Sequence, residues 1–136
     1  MKNPKFWLAV LAAGVVANIL DFLLWPNFLM PMMAGIESMR PEGEISPVWY
    51  IIGDFIAVFV MMLVYDRVYS SFSPGAAGGA TYGLYVGILT NFPMWIFVHL
   101  MFKGFPYGMA WGLIVIGIIW TVIVGAVLGA TFKKKI

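Results

Sequence analysis

The chain is 136 residues long, 62% hydrophobic and only 10% charged, with a mean hydropathy of +0.95. A soluble domain of ordinary composition is about 45 to 50% apolar and about 25% charged. The apolar excess comes in long blocks, which points to a polytopic membrane protein and excludes a disordered tail, a disulfide scaffold and a nucleic-acid binder. The chain has no cysteine, so a thiol nucleophile, a thiolate metal site and a cysteine-held iron–sulfur cluster are excluded as well.

A helix crosses roughly 30 Å of hydrocarbon with about 20 mostly apolar residues. Four stretches qualify: 4–25, 47–65, 74–102 and 106–132. Each opens on a proline (Pro4, Pro47, Pro74, Pro106), which suits the first helical position because its missing N–H has no partner there in any case. Asn3, Ser46 and Ser73 precede three of them as expected N-caps. The expected fold is therefore all-α, one domain of four transmembrane helices in an antiparallel bundle.

The first span carries a small-residue row, Ala9, Ala13 and Ala17, leading to Asp21, with Asn18 on the same face as Asp21. Lys2 and Lys5 give it a superficial likeness to a signal peptide. Its apolar block is too long for that, and no small-residue cleavage pattern follows promptly. The connection 26–46 is the long one. Met32, Ile36 and Met39 have the spacing of one face of a short interfacial helix, and Met30, Met32, Met33 and Met39 are thioether donors of the kind that suits Cu(I). Methionine as apolar filler is the commoner use.

The second span places Asp54 about seven residues in, beside Gly53, and ends at the Asp66–Arg67 pair. The third is about 29 residues, or ~43 Å of helix, longer than the hydrocarbon is thick, and Pro93 marks the expected bend. Asn91 and His99 lie in its outer half. Gly75, Gly79, Gly83 and Gly87 recur every fourth residue in its inner half. After a tight turn at Lys103 and Gly104, the fourth span repeats the pattern with Gly117, Thr121, Gly125 and Gly129 at matched depth. Small residues admit the close backbone approach that holds helices together in lipid, so the two rows are expected to pack on each other, the alternative being a contact between protomers.

With both termini in the cytoplasm, Lys2, Lys5, Arg67, Lys133, Lys134 and Lys135 are inside. Arg40 and Lys103 are outside, with Glu37, Glu42 and Glu44 in the external loop, as the positive-inside preference requires. Trp25, Trp49, Tyr50, Tyr107 and Trp111 fall at outer span ends and Trp7, Tyr65 and Tyr69 at inner ends, where headgroup-level aromatics belong. Tyr82 and Tyr85 read as packing residues.

Ionisable and amide side chains inside spans are the default functional candidates, and here they are Asp21, Asp54, His99, Asn91 and Asn18. All five fall in the outer half, with Asp21 and His99 shallow by residue count, Asp54 intermediate and Asn91 near mid-membrane. They could form a proton or ion relay or a small-solute site. Asp21, Asp54 and His99 could alternatively hold a metal ion, though without the HExxH or ExxH spacing of known sites. They could equally be interhelical hydrogen-bond partners. No nucleophile–base pair and no phosphate-cradling loop on a strand is present, which implies neither enzyme activity nor a cofactor.

The stretches Trp7-Leu8-Ala9-Val10, Leu24-Trp25, the glycine-spaced third span and Gly125-Ala126-Val127-Leu128-Gly129 resemble small four-span bacterial membrane proteins grouped as a domain of unknown function. That resemblance implies architecture and a bacterial inner membrane, and supplies no activity. The expected function is a non-enzymatic helix-packing or accessory subunit of a homo-oligomer or larger membrane complex. The alternative is a small-solute or ion transporter, possibly proton-coupled, with an outward-facing polar site. A metal-binding membrane protein is a minor third. The expected partners are the lipid bilayer and other membrane subunits, with no nucleic acid.

Overall fold

The computed structural model describes residues 3–36 and 43–133. Lys2, Glu37, Met39, Arg40, Glu42, Lys134 and Lys135 lie outside the described residues. Every regular element among the described residues is helical. α1 (Pro4–Leu24) passes through a π turn (Trp25–Leu29) into α2 (Met30–Met33). α3 (Pro47–Val68) ends in a 3-10 turn (Tyr69–Ser71) and is followed by α4 (Ala76–Met101) and α5 (Tyr107–Thr131). Four helical segments, Pro4–Met33, Pro47–Ser71, Ala76–Met101 and Tyr107–Thr131, are long and apolar enough to cross a membrane, at 30, 25, 26 and 25 residues. The protein has the build of a multi-pass membrane protein.

Capping chemistry sets two of the four starts as the sequence led us to expect. Asn3 accepts a hydrogen bond from the Lys5 backbone N–H at 2.9 Å and Ser46 accepts one from Val48 at 3.3 Å, with Pro4 and Pro47 inside their first turns. The other two prolines act differently. Pro106 is itself the N-cap of α5, with an extended backbone. Pro74 stands outside α4, because Gly75 after it takes φ +88°, a left-handed conformation that cannot continue into a helix. The carbonyl of Ser73 then folds back over the first turn of α4, and Gly78 leaves room for it.

The first span also differs from its expected end at residue 25. Pro26 lacks the N–H that would serve the Phe22 carbonyl. The chain answers by widening one turn rather than by stopping: the Met30 N–H reaches back to the Trp25 carbonyl and Asn27 Nδ2 donates to the Leu23 carbonyl at 2.7 Å. Of the helix expected on Met32, Ile36 and Met39, Met32 lies in this continuation of the span, Ile36 lies beyond its end and Met39 is outside the described residues. α4 runs without interruption through Pro93.

α1 packs on α3 to one side and on α5 to the other, and α4 packs on α5, giving the order α3, α1, α5, α4. α4 and α5 join most closely, backbone to backbone. A Cβ on Gly79 would run into the carbonyl of Gly125 and the backbone of Gly129. One on Gly83 would meet the carbonyl of Thr121, one on Gly87 the hydroxyl of Thr121, and one on Gly125 or Gly129 the carbonyl of Gly79 or Gly75. The two rows therefore interlock within one chain. Gly75 contributes only its carbonyl to the contact, with open space where its own side chain would be, and Gly117 gives way to the side chain of Asn91. On α1 the small row Ala9, Ala13 and Ala17 is buried, and Gly14 receives the ring of Phe55 from α3.

The main core lies toward the end of the bundle that carries both termini. Phe6, Val58, Met61, Met62, Tyr65, Tyr69, Tyr82, Val124, Leu128 and Phe132 belong to one buried cluster. Tyr65 and Tyr69 are 0% and 5% exposed. They were expected at headgroup level, and instead form an aromatic knot with Phe72, Tyr82 and Phe132. Tyr82 closes the ring of helices by donating its hydroxyl proton to the Met61 carbonyl at 2.7 Å. Toward the opposite end the packing thins. α3 has no buried residue between 47 and 57, and α4 has none beyond Gly87.

Candidate functional site

A polar side chain inside a span needs a partner, since hydrocarbon offers none. Most of those here find one on their own helix. Asn18 Nδ2 donates to the Gly14 carbonyl at 2.8 Å and Asn91 Nδ2 to the Gly87 carbonyl at 3.0 Å. Thr81, Thr90, Thr121 and Thr131 likewise bond carbonyls three or four residues back. Such back-bonding satisfies the side chain locally and leaves little for a ligand. Asn18 and Asn91, named above as candidates, are taken up in this way.

His99 is also engaged. Its Nδ1–H donates to the Phe105 carbonyl at 2.6 Å, and its ring lies against Tyr107, centroids 5.4 Å apart. It fastens the α4–α5 turn, which Gly104 makes possible by taking φ +82°, and it stands apart from the carboxylates it was expected to join. Among the described residues no group of three or more His, Cys, Asp and Glu side chains could hold a metal ion. Asp21, Asp54 and His99 therefore do not make a metal site.

Of the five candidates, the structure brings Asp21 and Asp54 together. The side chain of Asp54 on α3 faces that of Asp21 on α1 closely enough for the two to interact. Asp54 Oδ2 is buried and has no hydrogen-bond partner. Asp21 also lies farther from the end of its segment than residue counting implied. Twelve residues of helix, about 18 Å, separate Asp21 from the end of its segment at Met33, so it is not at the shallow end of its span.

Of the methionines, Met32 rests its terminal methyl on Gly112 of α5, so it serves as packing for the far end of the bundle. A groove of about 250 Å³ opens beside it between Met33, Ile36, Val98, Phe102, Lys103 and Phe105. None of the five polar candidates lines it.

No family model, curated protein or solved structure matches this chain. Sequence reasoning missed two features: the burial of Tyr65 and Tyr69, and the seat of Phe55 on Gly14. The first had a signal, since Tyr65 and Tyr69 are four residues apart on one helical face and so point the same way.

Proposed function

We propose that this protein is a non-enzymatic integral membrane protein that serves as an accessory subunit of a homo-oligomer or larger membrane complex, with α3 as its association surface. The observation that carries this is the open face of α3 at Gly53 and Ala57. In lipid, small residues rather than exposed apolar ones mark where another helix packs. The interlocked glycines of α4 and α5 are consumed inside the chain, while Gly108, near the start of α5, has open space where its side chain would be. On α3, Gly53 has nothing within 4 Å of where a Cβ would sit, and Ala57, one turn on, is exposed. Because the glycine rows of the third and fourth spans meet each other within the chain, we take Gly53 and Ala57 as the contact to disrupt. In mild detergent the protein should run at a multiple of its 15.1 kDa or with a companion, and Gly53→Leu with Ala57→Leu should reduce it to a monomer of unchanged helicity. A wild-type protein that is strictly monomeric and retains no companion would end this proposal.

A second reading is favoured by the acid pair. Asp21 and Asp54 would carry a proton or cation in a small transporter that works as an oligomer, since one chain of this size encloses little path. In proteoliposomes it predicts pH-dependent flux that Asp54→Asn abolishes, and unchanged flux in that variant removes it. In either case we infer that both termini face the cytoplasm of a bacterial inner membrane. The charge asymmetry supports the orientation, and the resemblance to small four-span bacterial proteins supports the compartment.

A further inference from the structure

We propose that the end of the bundle bearing both chain termini is a binding surface for anionic phospholipid headgroups. Phe6, near the start of α1, and Phe132, just past α5, belong to the same buried cluster, so the two ends of the chain meet at one end of the fold. Lys5, Arg67 and Lys133 are all exposed there, each from a different part of the chain. In sequence Lys2 precedes Lys5, and Lys134 and Lys135 follow Lys133 directly. Lys5, Arg67 and Lys133 thus stand at this end, with Asp66 beside Arg67, and Lys2, Lys134 and Lys135 adjoin them in sequence. In the sequence of the connections 26–46 and 103–105, Arg40 and Lys103 are outnumbered by Glu37, Glu42 and Glu44.

Two further features fit lipid rather than a soluble anion. The basic residues spring from a rigid base: the Tyr69 and Phe132 rings meet edge to face at 5.6 Å, and Arg67 is held by its bond to the Leu63 carbonyl at 3.1 Å. Beside Lys5, Trp7 is 52% exposed and stacks on Phe59, centroids 5.8 Å apart. That is an amphipathic ring at the level where headgroup meets acyl chain. A cluster of four to eight basic residues flanking a span attracts anionic headgroups, each charge adding to the pull within a Debye length of about 8 Å at physiological salt. The charges that direct insertion remain at headgroup level afterwards and select which lipids surround this end.

The test is native mass spectrometry of the full chain taken from mixed micelles containing equal phosphatidylglycerol and phosphatidylcholine. Retained phosphatidylglycerol should exceed phosphatidylcholine by about threefold or more. The excess should fall toward parity with Lys133→Gln, Lys134→Gln and Lys135→Gln combined and survive Lys103→Gln at the opposite end. Wild-type protein in 0.5 M salt, about 0.4 nm of screening length, should show the same fall with no substitution at all. Equal retention of the two lipids by the wild type, or an excess insensitive to both salt and the triple substitution, would overturn the proposal.

Discussion

Gly83 of α4 lies so close to Thr121 of α5 that a Cβ on it would run into the Thr121 carbonyl. The obstacle is backbone, which cannot rotate away as a side chain can. Gly83→Leu should therefore force the two helices apart and cost about 3 kcal/mol or more, and Gly125→Leu should do the same. Gly108→Leu on α5, where nothing lies within 4 Å, should leave stability unchanged or slightly raised. Unfolding in detergent micelles, followed by circular dichroism, measures all three.

Two neighbouring tyrosines should respond in opposite ways to loss of a hydroxyl. Tyr82→Phe removes the hydrogen bond to the Met61 carbonyl and leaves that hydroxyl's role empty, at a cost of about 1 kcal/mol. The Tyr65 hydroxyl is buried with no hydrogen-bond partner, so Tyr65→Phe relieves an unsatisfied group and should be neutral or stabilising. The same unfolding measurement separates them.

His99→Ala should cost about 1 kcal/mol through loss of its bond to Phe105 and loosen the α4–α5 turn. Assembly in detergent should be unaffected, because the partners of this histidine, Phe105 and Tyr107, belong to the α4–α5 turn and the start of α5. A change in oligomeric mass in His99→Ala would show that the turn takes part in association.

Asp54→Asn should keep the fold, since an amide matches the carboxyl in size and can donate a hydrogen bond to the Asp21 side chain. Circular dichroism and elution should match the wild type. Flux in proteoliposomes is then the deciding readout: loss supports ion coupling through the pair, and no change leaves Asp54 as an interhelical contact.

The bundle was legible because hydropathy reports the solvent, and four apolar blocks could only be helices crossing lipid. The pairing of Gly79, Gly83, Gly125 and Gly129 was legible for a related reason: fourfold spacing at matched depth on consecutive helices leaves few other contacts. Segment ends were less so, because Pro26 admits either a stop or a widened turn, and Gly75 overrides the Pro74 start through its backbone angle. The site was the least legible part. Sequence marks which residues are polar but not where each hydrogen bond goes, and Asn18, Asn91 and His99 proved to be bonded to nearby carbonyls. What remained was Asp21 with Asp54, a relation set by how α1 packs on α3.

The most direct test is the mass of the solubilised protein, measured by light scattering on a size-exclusion column in mild detergent, for wild type and for Gly53→Leu with Ala57→Leu. We predict a wild-type particle containing more than one chain, or one chain with a companion, and a monomer for the double variant with helicity intact. A wild type that is monomeric and unaccompanied, or a double variant that assembles as the wild type does, would contradict α3 as the surface through which this protein works.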